Sequence, residues 1–268
     1  MNILVLGDIM GLSGRKALKN NLSKIISDNK INFSVINGEN AADDGRGITK
    51  EIAEDFFSQG VDVITSGNHI WDKANTISFI EQENRLLRPA NLAEGSPGKG
   101  YGIYFSKDKK FKIGVVNLMG NVFMKKTEDV FKAAKEIFEK IKLKKNVDFC
   151  IVDFHGEITS EKMAIGHFLD GQSTIVVGTH THIPTADTRV LDKGTAYQTD
   201  IGMCGDYDSV IGMNKENSIK RFLKDKDAIK HFPSSGEGTL SGIIVEADEK
   251  TGLAKKVSRI IQGGTLTK

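Results

Sequence analysis

The 268-residue sequence has little cysteine, little proline and no long apolar run, and each scarcity closes a class of protein. Two cysteines, Cys150 and Cys204, make no disulfide framework. Cys150 sits in the apolar run VDFCIVDF and reads as a buried core thiol, whereas the neighbourhood of Cys204, DIGMCGDYD, reads as more open. With four prolines there is no Pro-rich linker. No repeat or low-complexity segment divides the chain either, so a single domain over residues 1–268 is expected. No run approaches the ~18 apolar residues of a membrane-crossing helix. The opening MNILVLGDIMG is too short and too polar for a secretory signal. A cytoplasmic protein with no membrane partner is the expectation. An excess of charge is also missing: 37 basic against 35 acidic residues leave +2. No global field then calls for nucleic acid or a membrane surface, while small phosphorylated ligands stay compatible.

What the chain does have is short, β-rich apolar runs: NILVLG (2–7), FSVIN (33–37), VDVITSG (61–67), FKIGVVNL (111–118), VDFCIVDF (147–154) and STIVVG (173–178). Runs this apolar suit strands covered on both faces. Helical patterns separate several of them. SGRKALKNNLSKIISDN starts at a capping Ser13 and puts Leu18, Leu22, Ile25 and Ile26 on one stripe. TKEIAEDFFSQG runs from Thr49 to a terminating Gly60. EDVFKAAKEIFEKI (128–141) carries Val130, Ala134, Ile137 and Ile141 on another stripe. The alternation predicts an α/β fold. GTLSGIIVEAD and KKVSRIIQGG look like a hairpin about EKTG, and YGIYFS (101–106) has no following helix. A mixed sheet, or two stacked sheets, is therefore expected.

The informative feature is the set of polar residues at the end of each apolar run. The first run ends in Asp8, the second in Glu39 and Asn40, the third in Asn68 and His69. The run through Cys150 ends in His155, and STIVVG ends in His180 and His182, two of only six histidines. An extended segment would point His180 and His182 to one side, with Thr181 opposite. Ligand sites in open α/β sheets form at the carboxyl ends of strands. Five such ends releasing oxygen or nitrogen ligands predict a metal site. Carboxylate, amide and imidazole without thiolate fit manganese, iron or zinc better than a Cys-rich structural zinc. Two carboxylates, three imidazoles and one or two asparagines exceed one tetrahedral ion and suit two ions sharing a carboxylate. Two cations ~3.5–4 Å apart can hold a hydroxide and clamp both ends of an in-line displacement. Phosphate-ester hydrolysis is the chemistry such a pair serves best.

The ordered motifs GD (7–8), NGEN (37–40), GNH (67–69) and GTHTH (178–182) resemble those of the calcineurin-like metallophosphoesterase superfamily. The sequence is more closely similar to its YmdB-like bacterial branch, through INGENAA, GNHIWDK, RPANLAEGSPGKG, DFHGEITSEK, VVGTHTHIPTAD and GTAYQTDIGMCGDYDSVIG. The resemblance implies two stacked mixed β-sheets flanked by helices, an αββα sandwich. It implies two divalent or transition metal ions, iron or manganese foremost and zinc as a further choice. Asp8, Glu39, Asn40 and His182 would hold one ion. Glu39, Asn68, His155 and His180 would hold the other, with Glu39 bridging. His69 would stay off the metals as general acid. The implied activity is a phosphodiesterase on small cyclic nucleotides, 2′,3′-cyclic monophosphates above all and 3′,5′-cyclic ones besides. Three departures from the broader superfamily stand out. Met10 replaces the histidine of an Asp-x-His motif, a gap that Asn40 fills. Glu39 stands where Asp is usual, and Ile70 follows His69 where an acid is common, with Asp72 two further on.

Other residues have plainer readings. Trp71 reads as packed beside the site, His167 as helix packing or surface, and His231 as structural near a proline turn. Asp153 reads as a residue that could orient a ligand, and Asp170 and Asp187 as loop residues. The basic KDKKFK (107–112) reads as a solvated hairpin, and GKG (98–100) lacks the spacing of a phosphate-binding loop. A phosphomonoesterase or nuclease on the same site, or a metal- and nucleotide-binding regulator acting through a partner, are the competing functions. Self-association into a homo-oligomer is compatible with the sequence.

Overall fold

The computed structural model describes residues 1–266 and contains two six-stranded mixed sheets. In the first, β1 (Asn2–Ile9), β2 (Phe33–Asn37) and β3 (Val63–Thr65) are parallel. In the second, β4 (Tyr101–Phe105) lies antiparallel on β5 (Lys112–Met119), and β6 (Phe149–His155) and β7 (Ile175–Thr179) continue parallel to β5. The short β8 (Arg189–Val190) and β9 (Ala196–Gln198) complete that sheet, with β9 parallel to β7. The chain then returns to the first sheet. There β10 (Met203–Cys204) pairs with the end of β1, and the hairpin β11 (Leu240–Ala247) and β12 (Ala254–Gln262) covers its other edge. The expected hairpins about EKTG and KDKKFK are both present.

Alternation along the strands builds three apolar layers. In β6, Phe149 and Ile151 face the first sheet, whereas Cys150, Val152 and Phe154 face outward. The middle layer joins Ile3, Val5, Phe33 and Val35 to Ile113, Val115, Ile175 and Val177. Outside the first sheet lie α1 (Gly11–Asp28), α2 (Lys50–Ser58) and α3 (Ala74–Gln82), presenting Leu18, Leu22, Phe56 and Ile80. Outside the second lie α4 (Val130–Lys140) and α5 (Thr159–Phe168), presenting Ala134, Ile137, Phe138 and Ile165. Each large apolar side chain so covered contributes roughly 1.5–3 kcal/mol. The result is the expected αββα sandwich. A last helix, α6 (Lys215–Phe222), sits in the excursion between β10 and β11. No helix among the described residues is long and apolar enough to cross a membrane.

Two local expectations are corrected. Helix α1 begins at Gly11, not at Ser13: the chain leaves β1 through Gly11 at φ 54° and turns straight into the helix. Ser13 lies inside the first turn, and its hydroxyl donates to the Gly236 carbonyl instead of capping. Cys204 is not open, because its strand pairs with β1 and buries the thiol, which donates to the Ser241 carbonyl. The Thr49 cap does form, its side chain accepting from the Ile52 amide.

Candidate metal centre

The carboxyl ends of β1, β2, β3, β6 and β7 meet at one edge of the sandwich, where the inter-sheet layer turns from apolar to polar. Asn37, Thr65, Asn117, Asp153, His155 and Thr179 continue that layer and are buried. A bulge decides where Asp8 points. Pairing between β1 and β2 runs Leu6 with Ile36 and then Asp8 with Asn37, so Gly7 is the extra residue. Leu4 and Leu6 face the helices. Without the bulge Asp8 would share their side; with it, Asp8 sides with Asn37 on the inter-sheet face.

The three strand-end histidines share one design. His155 Nδ1 lies 2.9 Å from the Thr179 hydroxyl, whose own proton goes to Asp153 Oδ1 at 2.7 Å. The hydroxyl oxygen therefore accepts from His155 Nδ1–H, and His155 Nε2 is the nitrogen turned inward. His180 Nε2 meets Glu157 Oε2 at 3.0 Å, freeing its Nδ1. His182 Nδ1 donates to the Ile211 carbonyl at 2.8 Å, freeing its Nε2. Metal-binding imidazoles are commonly oriented this way, the outer N–H held and the other nitrogen turned to the ion.

The inner nitrogens converge on one another and on the acid and amide oxygens. His155 Nε2 lies 3.0 Å from His180 Nδ1, 3.0 Å from Glu39 Oε1 and 3.1 Å from Asn68 Oδ1. One ring nitrogen carries at most one proton and cannot satisfy three acceptors. Potential ligand atoms of Glu39, His155 and His180 all fall within 4.8 Å of one another. A second convergence lies beside it. His182 Nε2 faces Asn40 Oδ1 at 3.3 Å, and the Asn40 amide nitrogen donates to the Gly45 carbonyl, which fixes its oxygen toward the histidine. Asp8 Oδ2 takes the His180 amide at 3.2 Å, while its buried Oδ1 has no hydrogen-bond partner. This donor set fits cations and fits little else.

Charge points the same way. Burial pushes the Asp8 carboxyl up to about 6, against the pull of His182 and His155. Burial works against Glu39 too, yet His155 and the His69 amide hold it at about 2. Burial opposes charge on His155, but Glu39 and Asp8 raise the imidazole to about 9. Burial and the neighbouring His155 hold His180 at about 3. Two buried carboxylates thus demand positive charge at this point, and a metal cation would supply it.

His69 stands apart. Its amide donates to Glu39 Oε2, while its ring nitrogen Nδ1 pairs with Asp72 Oδ2 at 2.7 Å and not with the ligand cluster. His69 lines a cavity of about 270 Å³ that opens from the cluster. Trp71 is partly buried against the helix-side core.

The turn after β7 differs from the expectation of an extended segment. The strand ends at Thr179, and His180 and His182 take left-handed φ values of 98° and 67°. Strand alternation therefore does not orient them; a turn does, and Thr181 pins it. The Thr181 amide and hydroxyl both donate to Asp200 Oδ2, which also pairs at 2.7 Å with Lys162 Nζ. Lys162 and Asp200 are each 1 % exposed, an ion pair sealed beneath the histidine turn. Sequence reading gave no role to Glu157 and Lys162, within DFHGEITSEK, or to Asp200 and Ile211, within GTAYQTDIGMCGDYDSVIG, since the motifs do not show which of their groups turn to the histidines. Asp153 is a support, accepting from Asn37, Thr65 and Thr179. Asp170 and Asp187 organise loops: Asp170 accepts from the Lys193 amide and Asp187 from the Thr199 amide. His167 is exposed on α5, and His231, read as structural, lies on the cavity wall.

Known proteins are similar to this chain in both sequence and fold. A family model described as "YmdB-like protein" matches residues 4–260. A 2′,3′-cyclic-nucleotide 2′-phosphodiesterase of Bacillus subtilis (strain 168) is 43% identical, with 97% of each chain covered. Among solved structures, a hypothetical protein from Thermus thermophilus superposes with a TM-score of 0.90 at 33% identity, covering 99% of this chain and 100% of that one. A novel phosphatase from Mycoplasma pneumoniae superposes with a TM-score of 0.88 at 36% identity, covering 98% of this chain and 94% of that one.

Proposed function

We propose that this chain, which belongs to the YmdB-like protein family, is a two-metal phosphodiesterase that hydrolyses 2′,3′-cyclic nucleotides, with 3′,5′-cyclic esters as secondary substrates. The enzyme is a phosphoesterase by family; the metal count and the substrate are our reading. One observation carries it: three imidazoles hold their outer nitrogens in hydrogen bonds and turn their inner nitrogens into one cluster with Glu39, Asn68 and Asn40. In this reading Glu39, Asn68, His155 and His180 hold one ion. Asp8, Asn40 and His182 hold the other, with Glu39 shared. Iron or manganese suits the oxygen and imidazole donors, with zinc next. Bound there, the metals would supply Lewis-acid stabilisation of phosphoryl charge and a more acidic water.

The chain's own residues supply the rest. Asp72 holds His69 through Nδ1, which leaves Nε2 as the nitrogen free to give a proton to the departing sugar oxygen. The amides of His69 and His180 hold the Glu39 and Asp8 carboxylates, so the site is built before substrate arrives. A near-balanced charge and a cavity of about 270 Å³ favour a small ester over a polynucleotide. The test is a substrate panel on metal-loaded protein: 2′,3′-cyclic AMP, 3′,5′-cyclic AMP, a chromogenic phosphodiester and a monoester. Highest kcat/KM is expected for the 2′,3′-cyclic ester. Preference for the monoester would contradict the reading.

A further inference from the structure

The cavity that opens from the ligand cluster has a second half that phosphate chemistry does not use. Beyond Glu39, His69 and His182 its wall is Val210, Ile211, Met213 and Phe222, with Arg46 and His231 beside them. Phosphate alone asks for cations and N–H groups, not for an apolar wall. Phe222, the last residue of α6, is 81 % exposed, and Ile211 is 51 % exposed. Large apolar side chains left open inside a cavity await a flat or greasy partner. The wall is also tied to the centre: Ile211, a β-branched residue at φ 49°, gives its carbonyl to His182 Nδ1. Left-handed backbone is costly for such a side chain and tends to persist at functional sites. The cavity's volume sits near the roughly 300 Å³ lower end for small-ligand sites, room for one nucleotide unit. Arg46 and Arg221 both press positive charge on this wall at His231.

Resting on the cyclic-nucleotide reading, we propose that this wall is the nucleobase subsite, with Phe222 as the stacking face, Ile211 and Met213 as its apolar floor and Arg46 as the cation at its rim. An ester phosphate at the ligand cluster then leaves its base over α6. Selection among bases is weak there, because an aromatic face accepts any of them.

The test uses the metal-loaded, full-length chain and variants at two exposed positions. In Phe222→Ala, the ratio of kcat/KM for 2′,3′-cyclic AMP to that for glycerol 1,2-cyclic phosphate, which has no base, should fall roughly tenfold, the worth of one base–aromatic stack. Arg46→Ala should lower the same ratio. Phe222→Trp should restore it, and adenosine 3′-monophosphate should quench the added tryptophan's fluorescence where it leaves wild-type emission unchanged. An unchanged ratio in Phe222→Ala, or no quenching in Phe222→Trp, overturns the subsite. Quenching without any turnover of cyclic nucleotides upholds the subsite and sinks the catalytic reading instead.

Discussion

His155 shows how much chemistry one residue's surroundings decide. The Thr179 hydroxyl spends its proton on Asp153, so it can only accept from His155 Nδ1, and Nε2 is the nitrogen that faces Glu39 and His180. The motifs announced the histidine but not its tautomer, because the tautomer depends on a threonine and an aspartate from other positions. Gly67 is set by the same crowding. A Cβ there would overlap His155 Nε2 and Glu39 Oε2, so Gly67→Ala should empty the centre of metal while far-UV circular dichroism stays native. His69→Ala should do the reverse. Metal content should hold while kcat on 2′,3′-cyclic AMP falls roughly 10²–10⁴-fold, the worth of a positioned general acid. The Lys162–Asp200 pair makes a third case. Lys162→Met strips a sealed carboxylate of its partner and should cost about 3–5 kcal/mol in urea unfolding.

At the scale of elements, the strands were legible and their ends only partly so. Apolar runs marked β1, β2, β3, β5, β6 and β7, since strands covered on both faces must be apolar throughout. Polar residues at the ends of five of them marked the site, because the strand ends are where the sandwich opens. The bulge at Gly7 left no such mark. It depends on the partner strand's register, and a single sequence shows no register. Nor was the left-handed turn at His180 and His182 visible, since Thr181 is held by an aspartate nearly twenty residues on. The bulge has a consequence of its own. A Cβ at Gly7 would collide with the Gly202 carbonyl, backbone against backbone. Gly7→Ala should cost at least ~1–3 kcal/mol as overpacking. It should also lower metal affinity by shifting Asp8, read as a changed Kd in competition with a chromogenic chelator.

Across the whole molecule, two sheets bring residues from Asp8 to His182 to one edge, and neither sheet holds the centre alone. Asp8, Glu39, Asn40 and Asn68 come from the first sheet's strand ends, and His155, His180 and His182 from the second's. Cations at that edge would clamp the sandwich shut. Metal at one hundred times its Kd stabilises by about 2.7 kcal/mol. At roughly 2–4 °C per kcal/mol, addition of manganese after chelator treatment should raise Tm on the order of 5–10 °C. Anomalous diffraction from crystals grown without chelator addresses the central claim most directly. Two peaks are predicted, one among Glu39, Asn68, His155 and His180 and the other among Asp8, Glu39, Asn40 and His182. Crystals grown with manganese that show no peak at either place, with His155 Nε2 bonded to Glu39 as an ordinary ion pair, would contradict it.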